Sequence, residues 1–412
     1  MKILLIHQAF ASHKEAGGTR HFELARHLVQ KGHEFTIIAS NVSYLSGRRV
    51  FKNKRLIDVQ NIEGINILRA YTCSSLHRGY FSRVISFICF MITSLIAAVK
   101  IRIKEDADLV IGTTPPLFQA GSAWLAAKMF KCPFLLEIRD LWPEFAIDMG
   151  VLTNPVLIRI SRWFEHFLYR HAAHLIVNSP AYRDYLIGKK VPASKITLIP
   201  NGVDTKMFDR DGDGERIRKR VGLKGKFVVT YAGALGAAND IDTILRAANH
   251  LKREPNIQFM LVGDGKERLR LEAVAKEWNI HNVTFTGFYP KTDMAGILAA
   301  SDTCVATLRD IPAFRTTYPN KVFDYMAAGR PIILGIDGVI RKVIEKAKAG
   351  IFVPPGDDFA MAEAVYELYK NPERAVSMGM AGRSYVEKHF DRKKQAGEFL
   401  RLLKRLGNGT VS

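Results

Sequence analysis

Residues 199–204, Ile199-Pro200-Asn201-Gly202-Val203-Asp204, are followed at residues 209–216 by the polar, Gly-rich DRDGDGER, and this punctuation decides how the chain is organised. Pro, Gly, Asn and Asp cluster where a backbone turns rather than where it packs. Before the break, apolar runs at residues 2–7, 34–40, 65–70, 107–112, 133–138 and 174–178 read as buried strands. Helical periodicity fills most of the gaps, as at residues 20–31, where Phe22, Leu24, Ala25, Leu28 and Val29 are apolar. After the break the pattern restarts. Strands are expected at 226–231, 257–262, 283–286, 303–306, 331–334 and 350–353, with helices at 241–251 and 267–278. Alternating strands and helices predict a parallel sheet covered on both faces. The expectation is an α/β protein of two doubly wound, Rossmann-like domains, 1–200 and 201–390. An amphipathic helix within 391–412 is expected to pack back on the first domain.

The chain has 412 residues, 48% hydrophobic and 24% charged, which excludes a disordered or collagenous class. Cys73, Cys89, Cys132 and Cys304 form no Cys-x-x-Cys pair, so neither a disulfide framework nor a zinc ribbon is expected. The net charge of +20 demands an acidic partner class: nucleic acid, anionic lipid or a phosphorylated substrate. Residues 1–204 hold 26 Lys and Arg against 15 Asp and Glu, and residues 205–412 hold 34 against 25. The excess is therefore spread over both halves and is no basic tail, and no nucleic-acid module is recognisable.

The opening apolar run is too short for a signal peptide and reads as a first strand. Residues 84–99 (VISFICFMITSLIAAV) fall short of the ~20 residues of a spanning helix. Two readings stand for them. One is a buried helix leading into the 107–112 strand. The other is a helix at a membrane interface, its apolar face in lipid and Arg78, Arg83, Lys100, Arg102 and Lys104 at its ends meeting anionic headgroups. Residues 209–214 invite a calcium-loop reading, but the twelfth position is Arg220 where the bidentate Glu belongs, so a solvated linker is expected. His171 and His174 are read as structural histidines in a helical run.

A series of short motifs runs the length of the chain. Gly17-Gly18-Thr19-Arg20 follows the first strand, and Val177-Asn178-Ser179, Tyr231-Ala232-Gly233, Val262-Gly263-Asp264-Gly265 and Thr286-Gly287-Phe288 each end a strand. Tyr325-Met326-Ala327-Ala328-Gly329-Arg330-Pro331 and Val353-Pro354-Pro355-Gly356-Asp357 complete it. In this order the set resembles the retaining glycosyltransferases of the GT-B fold, family 4, over nearly the whole chain. Glu137-Ile138-Arg139-Asp140-Leu141-Trp142-Pro143-Glu144 and Tyr318-Pro319-Asn320-Lys321-Val322-Phe323-Asp324-Tyr325 are similar to the branch that builds O-antigen, capsule or exopolysaccharide and includes fucosyl- and N-acetylfucosaminyl-transferases.

The resemblance implies two domains facing across a cleft that holds the active site. It also implies transfer with retention, no metal and no cofactor. The implied donor is a nucleotide-sugar, UDP favoured over GDP, and the implied acceptor a saccharide on polyprenyl diphosphate. Apart from the resemblance, the widely spaced cysteines fit a reducing compartment, and the interface reading of residues 84–99 puts the protein in the cytoplasm, peripheral on the inner face of the inner membrane.

A donor diphosphate needs hydrogen-bond donors and positive charge. Gly17 and Gly18 supply a tight turn before a helix whose N-terminus favours anions, with Arg20 in its first turn; a plain strand-to-helix turn is the alternative. No Gly-x-Gly-x-x-Gly follows the first strand, which counts against a nicotinamide enzyme. Asn320 and Lys321 open a helix expected over 321–328, making Lys321 the best diphosphate cation, with Asp324 one turn on. The family implies that Asp324 accepts from ribose hydroxyls; a surface Lys321–Asp324 pair is the alternative.

The sequence departs from the family pattern in two places. The usual Glu-x7-Glu is here Thr316 and Asp324, and no Arg or Lys follows Tyr-Ala-Gly, so Arg315 or Arg309 is expected to assist Lys321. Gly287 and Phe288 are candidates for holding the nucleobase, a core Phe288 being the alternative. Arg139, Asp140 and Glu144 follow a strand of the first domain; Asp140 could orient or deprotonate the acceptor hydroxyl, or pair structurally with Arg139. Glu137, inside the strand, reads as a paired, buried carboxylate. Two other functions share such a shape: a sugar-nucleotide 2-epimerase and a non-enzymatic two-lobed sugar-binding protein.

Overall fold

The structure is a computed structural model describing residues 1–13, 15, 17–43, 49–50, 55–73, 80–208 and 213–407. Arg78 and residues 209–212 of the calcium-loop candidate lie outside the described residues. The chain divides into two compact units, Met1–Pro200 with Lys393–Ser412, and Asn201–Arg392.

Unit 1 contains, in order, β1 (Lys2–Ile6), α1 (Arg20–Gln30), β2 (Glu34–Ser40), β3 (Ile57–Ile62), β4 (Ile65–Ala70), α2 (Tyr80–Arg102) and β5 (Leu109–Thr114). It continues with α3 (Leu117–Phe130), β6 (Phe134–Ile138), α4 (Glu144–Asp148), α5 (Pro155–His171), β7 (His174–Val177), α6 (Pro180–Gly188) and β8 (Ile196–Leu198). The strands form one sheet in the order β3-β4-β2-β1-β5-β6-β7-β8, parallel except for β3 against β4. Alternation along β1 sends Leu4 and Ile6 into the core on one face and Ile3 and Leu5 into the core on the other. α5 begins as its sequence dictates: Asn154 Oδ1 accepts from the amides of Val156 and Leu157 at 3.0 and 3.1 Å, with Pro155 in the first turn.

Unit 2 contains α7 (Gly214–Arg220), β9 (Phe227–Ala232), α8 (Ile241–His250), β10 (Ile257–Val262), α9 (Arg268–Glu277), β11 (Val283–Gly287), α10 (Met294–Ala299) and β12 (Thr303–Thr307). After these come α11 (Asn320–Ala327), β13 (Ile332–Gly335), α12 (Val339–Ala347), β14 (Gly350–Phe352), α13 (Asp358–Lys370) and α14 (Pro372–His389). Its sheet is parallel throughout, in the order β11-β10-β9-β12-β13-β14. Counted from β9 this is the 3-2-1-4-5-6 winding of a dinucleotide-type fold, which reverses direction between β9 and β12. The last helix, α15 (Arg392–Gly407), buries Ala396, Phe399, Leu402 and Leu403 in the unit 1 core beside Ile3, Leu5 and Phe22.

The structure corrects three expectations. α2 runs for 23 residues, beyond the apolar run at both ends, and residues Ser82–Arg102 are long and apolar enough to cross a membrane. Yet Ser86, Phe90, Ser94, Ala97 and Ala98 are buried in unit 1, so the helix is built into the fold on one side. His174 begins β7, as the 174–178 strand expectation has it and against the helical-run reading, its Nε2 2.8 Å from Thr197 Oγ1. β3, unforeseen, is an edge strand with Val59 exposed, turned by Glu63 and Gly64 at positive φ.

Candidate active site

In unit 2 the loops at the carboxyl ends of the central strands are laced together. The Gly233 amide donates to Val262 O at 2.9 Å, Leu235 N to Asp264 O at 3.0 Å, and Gly263 N to Gly287 O at 2.9 Å. Close packing requires glycine here: a Cβ on Gly263, at φ +144°, would lie 1.8 Å from Gly233 O, and one on Gly265 2.2 Å from Leu235 O. From the other side of the switch point, Thr307 Oγ1 donates to Asn239 O at 2.6 Å and Arg309 N to Ala238 O at 3.0 Å. Ligands in such sheets bind in this crevice, outside the strand ends where the winding reverses.

Lys321 lies at that place. It stands in the first turn of α11, whose N-terminus carries partial positive charge. Its Nζ donates to Tyr231 Oη at 2.7 Å and Asn239 Oδ1 at 2.9 Å, and sits 4.1 Å from the Tyr231 ring centre. It is half-buried rather than a surface Lys, and burial pulls its pKa down to about 7. A Cβ on Gly233 would lie 3.1 Å from Nζ, so the glycine keeps the ammonium's approach open. Asn239, in the stretch that lacks Arg and Lys, holds the lysine in place.

Asp324 is not paired with Lys321. Its Oδ2 accepts from Lys291 Nζ at 2.5 Å, and Lys291 also lies 5.2 Å from the Phe208 ring. Asn320 is exposed at the start of α11. Arg315 is exposed and turned to Asp310 at 2.9 Å, and Thr316 Oγ1 donates to Ala313 O at 2.5 Å. Gly287 ends β11 at φ +78°, with the Arg268 guanidinium 3.3 Å from where a Cβ would sit. Phe288 beside it is 49% exposed, which removes the core reading and leaves a flat apolar face beside the strand ends.

In unit 1 the corresponding switch lies between β1 and β5. Gly17, at φ +143° and with only 2.8 Å between a built Cβ and Ala11 Cβ, and Gly18 are exposed just before α1. Arg20 is 5% exposed and turned inward, a correction to its expected part in binding a diphosphate. Its Nε donates to Glu137 Oε1 at 2.7 Å, Nη1 to Pro200 O at 2.7 Å and Nη2 to Ile199 O at 2.8 Å. His21 Nε2 lies 2.8 Å from Glu137 Oε2. Burial alone would raise the Glu137 pKa, but Arg20 and His21 overcome it and hold the carboxylate well below its usual range.

Arg139 donates to Nε2 of His7, which directly follows β1, and the His7 and His21 rings are 4.5 Å apart. Burial, with Arg139 adding to it, keeps His7 neutral. Its Nδ1 and the side-chain amide of Gln8 are buried without a hydrogen-bond partner, which marks a polar pocket at the strand end. Asp140 accepts from Tyr182 Oη at 3.5 Å; burial pushes its pKa up to about 6 against the opposing pull of Arg139. Glu144 is committed elsewhere, accepting from Arg162 Nε and Nη2 at 3.0 and 2.9 Å and from Tyr185 Oη at 3.3 Å, and it ties α4 to α5 and α6. This bidentate clamp corrects its expected catalytic place. Among the described residues, no group of three or more His, Cys, Asp or Glu is placed to hold a metal ion.

Two Rossmann-type units in one chain, each with its polar strand ends at a switch point, define the GT-B class of α/β proteins. The solved structures agree on the fold. Sucrose-phosphate synthase from Thermosynechococcus elongatus superposes with a TM-score of 0.78 at 21% identity, over 99% of this chain and all of that one. Anabaena HepE, solved with UDP and glucose, gives 0.74 at 16% identity, over 98% of this chain and 99% of that one. Residues 17–207 match the family model for Glycosyltransferase Family 4, and residues 226–371 the model for Glycosyl transferases group 1. A putative colanic acid biosynthesis glycosyl transferase of Escherichia coli K12, WcaI, is 21% identical over 97% of this chain and 99% of its own length. The chain belongs to the group 1/family 4 glycosyltransferase superfamily.

Proposed function

We propose that this glycosyltransferase moves a sugar, with retention and without a metal, from a UDP-sugar to a lipid-linked saccharide during assembly of a surface polysaccharide of the O-antigen, capsule or exopolysaccharide type. The observation that carries the donor side is Lys321, held at a helix N-terminus beside glycine-lined strand ends. Charge and backbone dipole together suit a leaving diphosphate, whose negative charge grows in the transition state. UDP is favoured because HepE, of the same fold, was solved with it, and the polysaccharide role because WcaI is named for colanic acid biosynthesis. The sequence likeness to the branch that builds O-antigen, capsule or exopolysaccharide supports the same role.

A panel of UDP- and GDP-sugars tests this by thermal shift, since a ligand of the native state at a hundred times its Kd adds about 2.7 kcal/mol. A UDP-sugar is expected to raise Tm, and its product to keep the donor's anomeric configuration by NMR. A shift with GDP-sugars alone overturns the UDP assignment. Release of an epimerised UDP-sugar without an acceptor makes the protein an epimerase.

On the acceptor side, Asp140 is proposed to orient the attacking hydroxyl and draw on its proton. With its pKa raised to about 6 it is a carboxylate above that pH and a neutral acid below it. The wild-type kcat/KM is therefore expected to fall as pH drops through 6. In Asp140→Asn that limb disappears and kcat drops by about 10²–10⁴. An unchanged limb in Asp140→Asn overturns the assignment.

A further inference from the structure

One surface of unit 1 takes no part in the chemistry above. α3 packs between α2 and α5 over one face of the eight-stranded sheet. Phe87 of α2 stacks on Phe118 of α3 with ring centres 6.3 Å apart, and Ser122 of α3 donates to Met91 O of α2 at 3.2 Å. Trp124 of α3 meets Phe167 of α5 edge-on at 4.9 Å. The inner sides of the three helices feed the core through Phe90, Ala123 and Leu168.

Their outer sides are apolar too. Ile85, Ile88, Ile92, Ile96 and Val99 recur every three or four residues, one stripe along α2, each 39–51% exposed. Val156, Ile160 and Trp163 make a second stripe on α5, with Trp163 64% exposed, and Leu125 of α3 is 44% exposed. Single exposed aliphatics need no explanation, but aligned stripes on neighbouring helices mark an interaction face.

The charge pattern names the partner. The three helices contain one carboxylate, Glu165, which is buried and accepts from Tyr169 at 2.8 Å, Tyr185 at 3.2 Å and Lys189 at 2.8 Å. Their outward charges are thus all positive, with Lys100, Lys128, Arg159 and Arg170 exposed among them. A face whose helices are apolar, cationic and without an exposed carboxylate is complementary to anionic lipid. The nearest exposed carboxylates along the chain, Glu105, Asp106 and Asp108, follow the end of α2, where Asp106 pairs with Arg102 at 3.2 Å. Two copies of it would bring like charges together. A tryptophan on such a face suits the headgroup boundary, where an apolar ring with one polar atom is at home. Spanning is ruled out by the burial of α2's other side in the core.

We infer that the α2–α3–α5 layer docks unit 1 onto an anionic lipid bilayer, lying in the interface without crossing it. The inference does not depend on which sugar is transferred or whether any is. The test is sedimentation of the full chain with vesicles of phosphatidylcholine, with and without phosphatidylglycerol, at low and high salt. Binding is expected only with phosphatidylglycerol, and to weaken with salt as surface charges are screened. Replacing Lys100, Lys128, Arg159 and Arg170 with Gln should lower partition about fivefold per charge. Ile92→Glu with Trp163→Glu should lower it at least about tenfold. Both residues are exposed, so the fold should survive, and circular dichroism with an unchanged thermal melt confirms it. No binding at low salt, equal binding to both vesicles, or binding indifferent to these substitutions overturns the inference. So does a concentration-dependent dimer, seen by analytical ultracentrifugation, that Ile92→Glu abolishes in a protein that binds no vesicles.

Discussion

Lys321→Ala is expected to lower kcat/KM by about 10²–10³, the usual consequence of removing one preorganised charge or donor from a transition state. The fold should be kept, because Tyr231 Oη retains its own bond to Ala234 O at 2.9 Å when the ammonium is gone. The pH behaviour separates a charge role from mere packing. With a pKa of about 7 the free lysine is only partly protonated near neutrality. A bound diphosphate favours the ammonium, so at pH 8 UDP binding should take up a proton, seen by titration calorimetry in buffers of different ionisation enthalpy. The substituted protein should take up none.

Stability carries the same signature. Below about pH 7 the folded and unfolded chains both hold this proton, and the cost of burying the charge is fully present. Between 7 and about 10.4 only the unfolded chain holds it, so the wild type gains stability as pH rises. That gain should vanish in Lys321→Ala. Activity within a few-fold of wild type, or unchanged proton uptake, removes Lys321 from the donor site.

Glu137→Ala is expected to destabilise the protein severely. The carboxylate is fully buried between Arg20 and His21, and its loss removes the buried group to which both are bonded. Breaking a buried pair from one side costs about 3–5 kcal/mol. For a unit of this size the melting temperature of unit 1 should fall by roughly 6–20 degrees. The acid limb adds a sign. The depressed pKa makes this contribution fully present above about pH 4.3 and progressively lost as pH falls below it. Wild type and Glu137→Ala should therefore converge in stability in acid. A melt unchanged at pH 7 would show that the pair contributes nothing.

How much of this the sequence carried depends on the distance over which each feature is decided. The strands were legible because parallel strands covered on both faces must be apolar throughout, as in Leu109–Val110–Ile111. β3 was not, because an edge strand with one face in water reads as Ile-Asp-Val-Gln-Asn-Ile, which is no continuous apolar run. α2 was underestimated because its polar ends, up to Lys100 and Arg102, are helical without being apolar.

Lys321 was legible as a basic residue at a helix start, a local pattern. Its partners were not, since Tyr231 lies 90 residues away and Asn239 82. The inward turn of Arg20 is set by Glu137, 117 residues on, and no local signal distinguishes it from a surface arginine. Glu144 likewise owes its clamp to Arg162 on another helix. His7 could have been noticed as a polar residue directly after the first buried strand, the place where such sheets keep their ligands.

The last helix has a meaning for how the protein is made. Phe399, Leu402 and Leu403 complete the hydrophobic core around Ile3 and Leu5, yet they follow the whole of unit 2 in the chain and are synthesised after it. Domains usually fold in order of emergence from the ribosome. In this chain the first domain to emerge lacks part of its interior until the second has been synthesised in full, with every one of its own strands. Birth order and completion order are thus reversed, and a chain released a few residues before Phe399 would harm the half that was made first.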